Sequence, residues 1–254
     1  MKLKDFLENP VGRGDSSLNR AALRSMLDSK YDALVKNKDK QFTVKIYHKL
    51  NSDEYFIHLV IPTETARDNS YDVVLYFYPE SNEQSMSLLN THNVLFFCNA
   101  PSFAYTFAKV YDTENLLIPE LKNKFPDEIF GSNPEVRNRY GIVNYDKYLY
   151  FGCKYVYESR LLNRAALPLK SITYNSAIFQ SKVRTLDKIM VEYKKAQDKL
   201  KKKDRDKLKE AIDIATKGKV RTKVINPTIN EVKKITGSKN TVKKISKKSK
   251  KSKI

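Results

Sequence analysis

The sequence predicts an α+β protein: an N-terminal helix, a mainly antiparallel four-stranded sheet, a helical second half, then a long basic helix and a disordered Lys-rich tail. Three observations predict it. An apolar stripe spaced by threes and fours over residues 17–36 gives way to strict alternation from Phe42 onward. Four strand-like runs then follow with no helix between them long enough for a parallel crossover. Finally, the chain carries 48 Lys+Arg against 29 Asp+Glu, a net charge of +19, and nearly all of the excess lies in the last quarter.

The elements follow in order. Residues 9–17, with Pro10, Gly12 and Gly14, read as a loop in which Asp15 or Ser16 can cap the next helix. That helix runs from about Ser17 to Lys36, its stripe formed by Leu18, Ala22, Leu23, Met26, Leu27, Tyr31, Leu34 and Val35. Phe42, Val44 and Ile46 then alternate with polar neighbours, Asn51 to Asp53 make a turn, and Tyr55 to Ile61 returns as the second arm of a hairpin. Tyr71 to Tyr78 and Val94 to Cys98 supply the third and fourth strands. Pro101 starts a helix through about Tyr111, a shorter one covers about 118–124, and an aromatic-rich one runs from about Tyr145 to Leu162. Gly152 inside that last helix permits close packing of a neighbour. These elements form an α+β body over 1–175.

Residues 176–217 read as a long basic helix, with a break near Lys203 as the alternative. Phe179, Val183, Leu186, Met190 and Tyr193 form a heptad seam whose first half needs an apolar partner, so they are the candidate protein interface. Residues 218–254 are a basic linker and tail. Glu231 to Thr236 is echoed by Thr241 to Ser246, and the end is almost pure Lys and Ser. So charged and apolar-poor a run cannot bury enough surface to offset its ordering entropy, so it is expected to be disordered from about 237.

Charge narrows the function. Residues 1–180 hold 22 Lys+Arg and 21 Asp+Glu, a net of +1, while residues 181–254 hold 26 and 8, a net of +18. Lys233, Lys234, Lys239, Lys243, Lys244, Lys247, Lys248, Lys250, Lys251 and Lys253 place ten ammonium groups within 21 residues. Such an array condenses on DNA or RNA through phosphate charge. With neither Arg nor aromatic residues among them, these positions do not read bases. The plainer alternatives are a solubilising tail or one that docks on an acidic protein.

Other chemistry is sparse. No Trp, two Cys and three His exclude a disulfide scaffold, a zinc finger and a cluster-binding protein. Gly12-Arg13-Gly14 lacks the Gly-Lys-Ser/Thr of a phosphate loop, and Arg13-Gly14-Asp15 is read as a coincidental tripeptide. His48 and His58 lie on the two hairpin arms and would be neighbours in one register, yet a third metal ligand is not evident. Cys98 and Cys153 read as buried core thiols, and Tyr148, Phe151 and Tyr155 as packing residues at helical spacing. The reading therefore assigns no catalytic residue, no metal and no cofactor. No apolar run is long enough to span a bilayer and no signal peptide precedes the body, so a soluble intracellular protein without membrane contact is expected.

Two stretches, Glu8 to Asp15 with its following helix and Asn99 to Tyr111, together with Tyr145 to Phe151, resemble a group of poorly characterised proteins of tailed bacteriophages. The resemblance spans roughly residues 8–165 and carries no active-site residue. It implies a non-enzymatic virion or assembly component, found in the virion and in the host cytoplasm during assembly. Its partners would be other virion proteins or copies of itself, with DNA or RNA held through the tail. A soluble DNA- or RNA-binding regulator is the alternative.

Overall fold

The computed structural model describes residues 1–8, 17–63, 69–80, 85–131, 146–165 and 167–218. Strands β1 (Thr43–His48), β2 (Tyr55–Pro62), β3 (Ser70–Pro79) and β4 (His92–Cys98) pair antiparallel in chain order. A fifth, β5 (Ser171–Thr173), lies parallel to β1, giving an open mixed sheet ordered β4-β3-β2-β1-β5. The helices are α1 (Leu3–Glu8), α2 (Ser17–Lys36), α3 (Leu88–Thr91), α4 (Pro101–Thr106), α5 (Ala108–Thr113), α6 (Glu128–Gly131), α7 (Lys147–Glu158), α8 (Leu167–Lys170), α9 (Ser176–Lys182) and α10 (Leu186–Gly218). A 3₁₀ turn covers Pro119–Lys124. The fold is therefore α+β, as the sequence predicts.

The alternation works on both sides of the sheet. Ile57, Val73, Leu75 and Phe96 share one face through the strand register. There Phe6 of α1 packs on Phe96 with ring centroids 4.5 Å apart, and Tyr31 of α2 meets Phe151 of α7 at 5.8 Å. Gly152 is what lets α7 approach, since a Cβ at that position would lie 2.7 Å from Val73 Cγ1. The other face carries Phe56 and Phe97, on which Tyr174, Phe179 and Phe125 stack. Fully burying each such ring is worth roughly 1.5–3 kcal/mol, so this two-sided core holds the body together. Asn51 in the β1–β2 turn takes φ 59°, a left-handed conformation that Asn tolerates.

The structure corrects several expectations. Helix α1 was not foreseen, although Leu3, Phe6 and Leu7 are buried. The helix expected over 101–111 is divided in two at Phe107, whose φ of −116° departs from the regular helix value while its backbone stays right-handed. The four-stranded sheet has the fifth, parallel strand in addition. The largest correction concerns the helix expected to start at 176. It stops at Lys182, where Val183 turns extended (φ −87°, ψ 119°), and α10 begins at Leu186 and runs through Lys203 without the break considered there. The loop at 9–16, Tyr145 and the tail from 219 onward, including every lysine from Lys233 to Lys253, lie outside the described residues.

The chain divides into two units, 1–202 and 203–254. In the second, the described residues are helical, and those from Lys203 to Glu210 are exposed.

Candidate functional site

Asp72 sits near the start of the otherwise largely apolar strand β3 and is 1% exposed. A carboxylate there must be fully hydrogen-bonded or it would cost several kcal/mol. It is. His58 Nε2 donates to Asp72 Oδ1 at 2.9 Å, while Asn99 Nδ2 and Arg184 Nε donate to Oδ2 at 2.8 and 2.9 Å. The Arg184 backbone N–H reaches the same oxygen at 3.1 Å. The guanidinium also binds Glu192 Oε2 and both Ser70 oxygens. Burial alone would push the Asp72 carboxyl up, but His58 and Arg184 outweigh it and hold it below its usual value. His58 Nδ1 is buried without a hydrogen-bond partner.

This cluster explains the helix break. Asp72 captures the backbone N–H and side chain of Arg184, so the chain cannot continue helically through 183–185. Thr185 then restarts it, its hydroxyl accepting from the Lys188 N–H at 3.3 Å. The result is a polar clamp fixing the root of α10 to β3.

Beside that root lies a cleft of about 260 Å³, lined by Tyr71, Ala100, Pro101, Ser102, Tyr148, Met190 and Tyr193. Tyr71 and Tyr148 meet edge to face at 4.5 Å. Burial and the neighbouring Tyr193 push the Tyr71 phenol up to about 12, so it stays protonated. Below, Asp146 caps α7 by accepting from the Tyr148 and Leu149 N–H groups and from the Ser102 hydroxyl. Burial raises its carboxyl despite those donors. A second, larger cavity of about 470 Å³ is lined by Ser85, Met86, Asn163, Arg164 and Ala165. Among the described lining residues the one charge is Arg164, bound to Asp53 Oδ2 at 2.7 Å and to the Ser85 carbonyl.

Beyond the cleft, Lys194, Lys195, Lys199, Lys201 and Lys202 of α10 are exposed. Comparison with protein-family models, curated proteins and solved structures finds no match.

The expected interface residues divide. Phe179, Val183 and Leu186 are buried at 2% exposure or less and belong to the body's own core, so the seam is not a free surface along its length. Met190 and Tyr193 are each 38% exposed and line the cleft. The strand register pairs His48 with Tyr55 and His58 with Lys45, so the two histidines are not cross-strand neighbours. Among the described residues no group of three His, Cys, Asp or Glu is arranged to hold a metal, and no helix is long and apolar enough to cross a membrane. Cys98 and Cys153 are fully buried, as expected. Sequence reasoning missed the clamp, although Asp72 and His58 interrupting apolar strand runs are its visible trace.

Proposed function

We propose that the protein is a non-enzymatic structural or assembly component of a tailed-phage particle, in its head, neck or connector region. Its body packs on other virion proteins or on copies of itself. Its basic C-terminal quarter holds nucleic acid through phosphate charge. The observation that carries the nucleic-acid contact is the charge segregation: residues 181–254 hold 26 Lys+Arg against 8 Asp+Glu. The exposed lysines of α10 extend the same sign of charge back to the body. The phage assignment rests on the resemblance over residues 8–165. Purified particles test it. A structural component is present at fixed copy number. A protein absent from particles that still binds DNA or RNA is the regulator instead.

A further inference from the structure

We propose that the cleft formed by Tyr71, Tyr148, Met190 and Tyr193 is a stacking site for one unpaired nucleobase, and that it makes the protein prefer single-stranded nucleic acid to duplex. This rests on the nucleic-acid reading above and adds to it the class of strand that is held.

The cleft has the shape and chemistry for a flat ring. Its volume of about 260 Å³ is just below the roughly 300 Å³ at which drug-sized pockets begin and is enough for one planar base. Tyr71 and Tyr148 form a fixed inner wall, both buried and locked edge to face. Tyr193 and Met190 form the outer wall and are partly exposed. A polarisable thioether beside aromatic rings suits a π-face of any base.

The rim supplies the charge that selects a nucleotide over an apolar peptide side chain. Helical spacing of four, seven and eleven residues puts Lys194, Gln197 and Lys201 in line with Met190. At about 1.5 Å per residue, Lys201 lies roughly 10 Å along the axis from Lys194. A strand leaving the cleft therefore meets cations in succession. On the other lip, Lys147 Nζ sits 4.8 Å from the Tyr148 ring centroid. Of the described acids near the mouth, Asp187 and Asp198 of α10 are exposed but outnumbered by the exposed Lys188, Lys194, Lys195 and Lys199, and two others are engaged. Asp146 is buried under Ser102 with its oxygens engaged, and Glu192 is bound to Arg184. The Asp72 clamp fixes the first turns of α10, so the outer wall is held in place before a base arrives.

A paired base cannot enter without leaving its stack, which costs a few kcal/mol in duplex and much less in a single strand. The preference for single strands comes from that difference.

The test compares a labelled oligothymidylate with a duplex of equal length by fluorescence anisotropy, using the full chain at one fixed salt concentration. The wild type should bind the single strand more tightly. Tyr193→Ala should weaken that binding by roughly 5- to 100-fold and leave duplex binding unchanged, while Tyr193→Phe keeps the wild-type preference. Thermal melts of the variants control for folding. Independently of any substitution, irradiating the wild type with an iodouracil-containing oligonucleotide should cross-link Tyr193, Tyr148 or Met190. Adducts confined to residues 233–253 would overturn the stacking site. So would equal binding of both strands unaffected by Tyr193→Ala, and so would an equal loss for both, yet each of these leaves the phosphate contact standing. A wild type that binds neither nucleic acid removes the phosphate contact and the stacking site together.

Discussion

Asp72→Asn tests whether the clamp holds α10 to the sheet. The substitution keeps the shape and removes the charge. An amide oxygen can still accept from Asn99 and Arg184. Its NH₂ group would then face His58 Nε2, where the imidazole can shift its proton to the unpartnered Nδ1. What is lost is the charge opposite the guanidinium. Removing one member of a buried pair costs about 3–5 kcal/mol. Arg184 keeps Glu192 as a partner, and its side chain is 19% exposed, which sets the cost near the lower end, at about 3 kcal/mol. For a chain of this size that is roughly 6–12 °C in Tm. The pH dependence has a definite sign. The folded-state carboxyl lies below its unfolded value. Its stabilisation is therefore complete above the unfolded pKa and disappears as pH falls through the folded one. Melts followed by circular dichroism should show the full gap between wild type and Asp72→Asn at neutral pH, narrowing in acid. A gap under about 1 kcal/mol at neutral pH, or one that stays constant into acid, would refute the clamp as the anchor of α10.

Two further substitutions and reagents probe the core. Gly152→Ala should destabilise the protein by about 1 kcal/mol, because overpacking against Val73 at 2.7 Å exceeds the helix-propensity gain of about 1 kcal/mol. In a Val73→Ala background the same change should become neutral or stabilising, as read from urea unfolding of the four proteins; a stabilising Gly152→Ala in the wild type contradicts the packing. Cys98 and Cys153 are fully buried, and burial pushes both thiols well up, so neither should react with a thiol reagent until the protein unfolds. Rapid labelling of the native protein at either position speaks against it.

The sheet was largely legible because alternation and turn residues are local signals. Phe42 to Ile61, with the Asn51 turn between, needs no information from elsewhere in the chain. Strand β5 escaped because three residues carry no periodicity, and its pairing with β1 joins Ile46 to Ser171 across most of the body. The seam misled for a physical reason. The spacing 179, 183, 186 continues across the break because α9 and α10 both bury their apolar faces in the body's own core. The break itself is caused by Asp72, 112 residues away from Arg184 in sequence, and only the Thr185 cap hinted at it locally. The cleft was half visible. Met190 and Tyr193 stood out by spacing, whereas Tyr71, Ser102 and Tyr148 come from β3, α4 and α7 and meet only in the fold.

The account's central claim is that the basic quarter reads phosphate charge, and a salt titration of DNA binding tests it most directly. Wild-type affinity should fall linearly with log salt, with a slope near −7 if about eight phosphates are neutralised at 0.9 each. Duplex RNA and duplex DNA of scrambled sequence should compete equally with the labelled duplex. Changing five of the ten lysines between Lys233 and Lys253 to Gln should roughly halve the slope. Equal slopes for the two proteins would move the contact from the tail to the exposed lysines of α10, and a flat salt dependence in the wild type would contradict the claim.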